Sequence, residues 1–407
     1  MQVDQDEERQ ARTAPGADEG TAKVRILRTV EEIEEVRGFW ASWPGTRDSD
    51  IDLLLAACGA GSKRRCPHIL VLYRGEKPVA LIAGSISLRR VPFGVGDFRL
   101  FNPIAKVLDI PYGGLRGGAS AEDCDRSVRE IVDTLRKGEA DVAVFSYLNT
   151  ESDLYRCVRQ TPSFACRDRF VRVLPHYKRI LAKNAEIHDR ELSANQKKEF
   201  RRATKRIERD FSGRVSLEMI QDPIALDQTL QVIEEIARKT WQRRVGGGLN
   251  INDPTLAQLM AEAERGWLRV YVLRLGGNAC AFWTGTVYQN VFYSNYIGFD
   301  PGYADYSPGT YMLFRILEDL SSHGVEAFDF GWGPEEYKKR FGNLTCQAAT
   351  AHIYAPAFKG IRLSLMKTMT GALRDLAKHV VRLAGLKEAR VRSWRHAGQR
   401  ERRNRKP

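Results

Sequence analysis

Residues 290–343 read NVFYSNYIGFDPGYADYSPGTYMLFRILEDLSSHGVEAFDFGWGPEEYKKRFGN, and this stretch decides the fold. The aromatic, half-alternating run Val291 to Phe299 predicts a strand. A turn-rich segment leads to Ser307-Pro308-Gly309, where Ser307 is expected to cap a helix and Pro308 suits its first position. Leu313, Ile316, Leu317 and Leu320 recur at helical spacing, and Gly324 ends the helix. A second strand, Val325 to Phe330, runs into Gly331-Trp332-Gly333, and a short basic helix starts at Pro334. Main-chain N–H groups at a helix start beside strand ends form a site for a phosphate or pyrophosphate. The expected ligand is therefore a phosphorylated one, such as a coenzyme.

The remaining sequence bounds what surrounds this core. A chain of 407 residues suits two domains. No uninterrupted apolar run of about 18 residues or more is present to span a membrane. Residues 1–21 are acidic, lack the order of a signal peptide, and read as a disordered leader. The 7 cysteines form no close CxxC pair and read as reduced core thiols of a cytoplasmic protein. The 7 histidines are scattered without ligand spacing, so no metal site is expected. The net charge of +13 is uneven: 15 Lys/Arg against 3 Asp/Glu lie between Ala357 and Pro407, so no specific nucleic-acid partner is expected for the folded part.

Two passages of the chain share one order of elements. Residues 22–182 predict a strand, a helix from Glu31 to Trp43 and a second from about Asp50, a strand pair (Ile69 to Arg74 and Val79 to Ser87) around Gly75, a glycine-rich loop (Tyr112 to Gly118), a helix from Ala121 and a strand from Asp141. Residues 183–355 repeat that order, with a charged helix from Ser193 and a strand pair around Gly276. Asp123 to Pro308 and Ala140 to Val325 are both 185 positions apart. Two copies of one α/β unit follow from this offset. Residues 356–407 predict a basic amphipathic helix and tail, with Ile361, Leu365, Leu373, Leu376, Val380 and Leu383 as its apolar stripe. Three fates are open for that helix: packing on the body, lying on an anionic lipid surface, or binding a polyanion.

The pattern S-P-G, a helix ending in Gly, then D-F-x-x-G-x-E-x-Y-K in residues 307–338 resembles the BioF2-like (CelD/BcsL-type) acetyltransferase domain of the GNAT superfamily. More remotely it is similar to the FemABX peptidyltransferases. LSANQKKEFRRATKRIERDF (192–211) and Lys239-Thr240-Trp241 also match that pattern. The resemblance covers roughly 180–350 well and 22–180 weakly. It implies tandem GNAT-like units, each a mixed twisted α/β (α+β) sheet flanked by helices, with the first unit degenerate. It also implies an acetyl-CoA or other acyl-CoA co-substrate. Ser307, Pro308, Gly309 and Thr310 would hold the pyrophosphate, and Asn295, Tyr296, Ile297 and Gly298 would line the pantetheine arm.

Acyl transfer needs a base, an oxyanion donor and an acid for the departing thiolate. Asp329, at a strand end, is read as base or substrate anchor, against helix capping or a pair with Lys338. Tyr337 is read as catalytic and Lys338 as a holder of phosphate or a sugar acid, against plain inward packing of Tyr337 and Phe341. Trp241, Arg243 and Trp332 are candidate substrate contacts, and Gly246 to Gly248 a lid or linker. The basic helix Lys197 to Arg209 is either a solvated face or a contact for an anionic substrate. The Tyr112 to Gly118 loop is read as a decayed phosphate site.

The resemblance points to an acyltransferase acting on a sugar, sugar nucleotide or polysaccharide precursor, with a small-molecule or glycan acceptor. Two alternatives stand: a FemABX-like transferase using aminoacyl-tRNA, and a non-catalytic accessory protein of polysaccharide assembly. The expected place is the cytoplasm, with the basic helix at the inner face of the membrane.

Overall fold

The structure is a computed structural model that describes residues 23–59, 65–95, 98–181, 192–244 and 248–383. The expected leader, most of the glycine loop at 246–248 and the segment 384–407 lie outside the described residues. The chain divides into two compact units, Leu174–Ala348 and Met1–Val173 with Ala349–Pro407. The sequence reading drew these lines at 182/183 and 355/356.

In the unit Leu174–Ala348, the sheet runs in the order Val215–Ile220, Leu268–Leu275, Asn278–Tyr288, Val291–Phe299, Ala327–Trp332, Arg172–Ile180. Strand alternation sorts its side chains onto two faces. Tyr271, Leu273, Phe292, Phe328 and Phe330 meet the helices Ala194–Phe211 and Pro308–Ser322 through Ile207, Met312, Leu313 and Ile316. Leu268, Val270, Val272 and Phe282 meet the helices Pro223–Lys239 and Asp253–Glu264 through Leu230, Ile233 and Leu259. Neighbouring strands are antiparallel except one pair, Val291–Phe299 and Ala327–Trp332, joined in parallel by the Pro308–Ser322 helix. Ser193 opens the Ala194–Phe211 helix with a capping box to Gln196.

The other unit repeats this crossover. Strand Ile104–Ile110 is parallel to Val142–Asn149, with Val107 opposite Val142, and the helix Ala121–Arg136 joins them. A second sheet, in the order Lys23–Leu27, Ile69–Arg74, Lys77–Ile82, Leu115–Gly117, packs against Ile33, Trp40 and Leu54. Ala351, Ile353 and Ala355 complete the core around Leu108, Val128 and Phe145.

Several boundaries differ from the sequence reading. The expected helix 31–43 is two, Val30–Glu34 and Arg37–Ser42. The expected strand 79–87 is also two, Lys77–Ile82 and Ser85–Arg90, which belong to different sheets. The glycine-rich loop contains a strand, Leu115–Gly117, whose Gly117 pairs with Ala80. A Cβ there would lie 2.4 Å from Val79 O, so the glycine permits a close backbone approach. The basic helix is present as Phe358–Leu383.

Candidate functional site

The parallel strands of the second unit part company midway. Their pairing covers Val291↔Ala327, Phe292↔Phe328 and Tyr293↔Asp329, while Val291–Phe299 continues for six residues beside Asn278–Tyr288 alone. Asn295 is the extra residue of a β-bulge at this divergence, because Thr284 pairs with Tyr296 and Gly285 with Ser294. Where two parallel strands separate, the backbone ladder no longer closes the sheet.

Beside the divergence lies a cavity of about 300 Å³, lined by Trp283, Ile297, Phe299, Ala304, Ser307, Pro308, Gly309, Thr310, Tyr337 and Arg340 with Leu313 and Phe341 beneath. The sequence-derived residues Ile297, Ser307, Gly309, Thr310 and Tyr337 thus meet at one place. Arg340, Trp283 and Phe299 join them, though the sequence reading passed over all three.

Ser307 does not cap the helix as expected. It sits in the left-handed region (φ 51°) and its side chain makes no capping hydrogen bond. The preceding turn, Pro301–Tyr306, forces this geometry: Ser307 N–H donates back to Ala304 O. Ser307 O then accepts from the N–H groups of Thr310 and Tyr311. Pro308 has no N–H, so Gly309 carries the first donor of the helix. Apart from its chain neighbours and its own helix backbone, nothing lies within 4 Å of where a Gly309 Cβ would be. Asp305 is exposed and outside the cavity lining; its carbonyl accepts from Arg206 of the Ala194–Phe211 helix at 2.8 Å. Arg340 reaches Glu199 of the same helix at 3.0 Å.

Tyr337 lines the cavity, edge-on to Trp283 (6.5 Å) and Phe330 (6.2 Å). Burial, with the charge of Glu335, raises its pKa above the ordinary tyrosine value, so the hydroxyl stays protonated at neutral pH. Tyr337 and Phe341 pack inward at i, i+4, and Tyr337 also lines the cavity, so the two readings of this turn are compatible.

Asp329 points to the opposite face from its neighbours Phe328 and Phe330 and is buried. Its Oδ1 lies 2.7 Å from His176 Nε2 and accepts from Gly331 N–H at 2.7 Å. His176 Nδ1 lies 3.8 Å from Cys346 Sγ, and Trp332 lies over the ring at 5.1 Å. Asp329 therefore pairs with a histidine 153 positions away, not with Lys338. Lys338 instead donates to Trp332 O (2.7 Å) and pairs with Glu335 (3.2 Å), which holds the 332–335 turn and keeps it out of the cavity lining.

The other sequence-derived residues lie elsewhere in the unit. Asn295 Nδ2 donates to Thr286 Oγ1, itself bonded to the fully buried Glu262. Tyr296 packs with the Phe282 core, and Gly298 has no room for a side chain against Phe282 and Thr240. Arg243 is taken up by Glu234 (3.0 Å) and Leu249 O. Trp241 opens the short helix Trp241–Arg244; its side chain lies outside the described residues. Among the described residues, no group of three or more His, Cys, Asp or Glu side chains could hold a metal ion.

Residues 194–339, which supply all of this cavity's lining except Arg340 and Phe341, match the family described as the acetyltransferase (GNAT) domain. This segment is a GNAT acetyltransferase domain. No curated protein sequence matches the chain. Among solved structures it is similar to FemX, at 10% identity over 80% of this chain and 96% of that one, with a TM-score of 0.52. A tandem GNAT protein from the clavulanic acid biosynthesis pathway follows at 10% identity, 82% and 99% coverage and TM-score 0.49. The C-terminal domain of a putative lysylphosphatidylglycerol synthetase from Agrobacterium fabrum gives 15%, 72%, 84% and 0.45. Of these three, the FemX likeness is the one that bears on the fold.

The architecture is thus tandem GNAT-like α/β units with a C-terminal helix, and the acetyltransferase match of residues 194–339 supports an acyltransferase. The second unit holds the cavity. In the first, the corresponding helix is capped by its own Ser120 in a box with Asp123, and Glu122 and Asp123 place negative charge in its first turn. An anion is disfavoured there.

Proposed function

We propose that this protein transfers an acyl group, acetyl foremost, from acyl-CoA to an amine or hydroxyl of a sugar, sugar nucleotide or polysaccharide precursor in the cytoplasm. The observation that carries the reading is the cavity at Ile297, Ser307–Thr310 and Tyr337, beside the parting of two parallel strands within the GNAT domain. Gly309 N–H and the Ser307 and Thr310 hydroxyls take the pyrophosphate at the helix start, and Arg340 adds positive charge. The open space at Gly309 fits an oxygen approaching the main chain. Ile297 and Phe299 supply apolar wall for the pantetheine arm.

The acceptor reaches the thioester through the gap between the strands. Its nucleophile attacks the carbonyl carbon, the carbon–sulfur bond breaks, and the leaving thiolate takes a proton from Tyr337. Asp329, paired with His176, receives the acceptor's proton. The sugar context rests on the resemblance of residues 307–338 alone.

The test is a thermal-shift titration. Acetyl-CoA is expected to raise the melting temperature of the wild type, and Gly309→Asp is expected to abolish the rise by placing a carboxylate where phosphate sits. Equal shifts in both proteins would remove the phosphate site, and a shift with charged tRNA but not with any acyl-CoA would replace the donor.

A further inference from the structure

The C-terminal helix Phe358–Leu383 is amphipathic the wrong way round for a helix that packs on its own unit. Phe358, Ile361, Leu365, Met369, Leu373, Leu376 and Val380 are all exposed, Phe358 by 81% and Leu376 by 60%. At 100° per residue they fall in one stripe, roughly 33 Å long from the helical rise. The opposite face is the one held to the unit. Leu363 joins the core of Val107 and Tyr354, Ser364 donates to Ala165 O (3.3 Å), and Lys367 Nζ is 4.0 Å from the buried Asp168. Gly360 and Gly371 let the helix approach Ala355 and Phe170, where a Cβ would be within 2.2 and 2.4 Å. The helix cannot roll to bury its stripe without breaking these contacts. A hairpin that meets it through Phe93 and Phe101 also exposes Phe98 (79%) and Leu100 (49%).

Charge decides what covers such a stripe. Lys359, Arg362 and Lys378 are exposed on the same helix, with Asp375 as its one acid. From Ala357 onward the sequence holds 15 Lys/Arg against 3 Asp/Glu. A second copy of this chain would bring like charge against like. A polyanion would be attracted but has no use for seven exposed apolar side chains. A surface that is anionic outside and apolar beneath satisfies both. We propose that Phe358–Leu383 is an interfacial helix that lays the first unit on an anionic lipid bilayer, with the stripe sunk into the headgroup boundary. The helix is not long and apolar enough to cross the membrane.

The full chain is to be sedimented with phosphatidylglycerol-rich vesicles and with phosphatidylcholine vesicles. Binding is expected to the first and to fall with added salt. The triple variant Leu365→Glu/Leu373→Glu/Leu376→Glu, all at exposed positions, should keep the wild-type melting temperature and bind at least about tenfold more weakly. A charge variant, Lys359→Gln/Arg362→Gln/Lys378→Gln, keeps the stripe and should also bind about tenfold more weakly or worse. The proposal is overturned if the wild type ignores anionic vesicles, or if the triple variant binds them as tightly. It is equally overturned if, without lipid, the wild type is a dimer that the triple variant dissolves, because a second copy then covers the stripe.

Discussion

His68 shows what a single side chain contributes when it titrates out of water. It is 1% exposed, with Thr134 Oγ1 3.3 Å from its Nε2. Burial, assisted by the charge of Arg28, pushes its pKa down to about 4. Its unfolded value is about 6.5. The folded pKa is depressed, so the stability it confers is present above pH ~6.5 and is lost as pH falls towards 4. A shift of that size corresponds to about 3 kcal/mol at most. Urea titrations should show the wild type losing about that much more than His68→Gln between pH 7 and 4; parallel losses would rule it out. His176 is buried as well, yet the sequence offered no hint of it, since its partner Asp329 lies 153 positions away. Asp329 itself was visible because it stands at the end of an apolar strand.

Among the elements, the short helix Glu336–Phe341 concentrates the site: Phe341 and Tyr337 point inward while Arg340 faces the cavity. Tyr337→Phe keeps the ring against Trp283 and Phe330 and removes only the hydroxyl. It should preserve the melting temperature and the acetyl-CoA shift while lowering kcat by about 100-fold or more, the usual range for a general acid. An unchanged kcat in steady-state assays would take Tyr337 out of the chemistry. Elements with strong periodicity were readable in advance, such as Pro308–Ser322 from its four apolar positions. Short segments were not. Ser307 looks like a cap, but the turn before it had already fixed its backbone as left-handed. The glycines at 113–118 look like a phosphate loop, but Arg116 claims the space. Its buried guanidinium donates to Ser49 Oγ (3.1 Å), Trp40 O (3.3 Å) and Thr46 O (3.0 Å), contacts between residues some 70 positions apart that no local pattern reveals.

At the scale of the whole chain, the repeat was readable because it is a matter of order and offset: Val142 and Ala327 open matching strands 185 residues apart, as the landmarks Ala140 and Val325 suggested. Ownership of the last strand was not, because periodicity does not say which core a strand enters. Ala351, Ile353 and Ala355 are buried with Phe145 and Leu108 of the first unit. Deleting 349–407 is therefore expected to strip hydrogen-exchange protection from Ile104–Ile110 and Val142–Asn149, while Asn278–Tyr288 keeps its own. Full protection of Val142–Asn149 in the truncated chain would refute this.

That ownership also has a consequence in time. A ribosome that has just released Val173 has not yet made residues 351–355, and roughly 10–35 s of synthesis at ordinary elongation rates separates the two. The earlier-made unit must wait with an open flank while the later-made one is produced, so the usual order in which nascent domains mature is reversed. Chaperone demand during translation is therefore expected to fall on the first unit, at the strand Val142–Asn149 that waits for its partner.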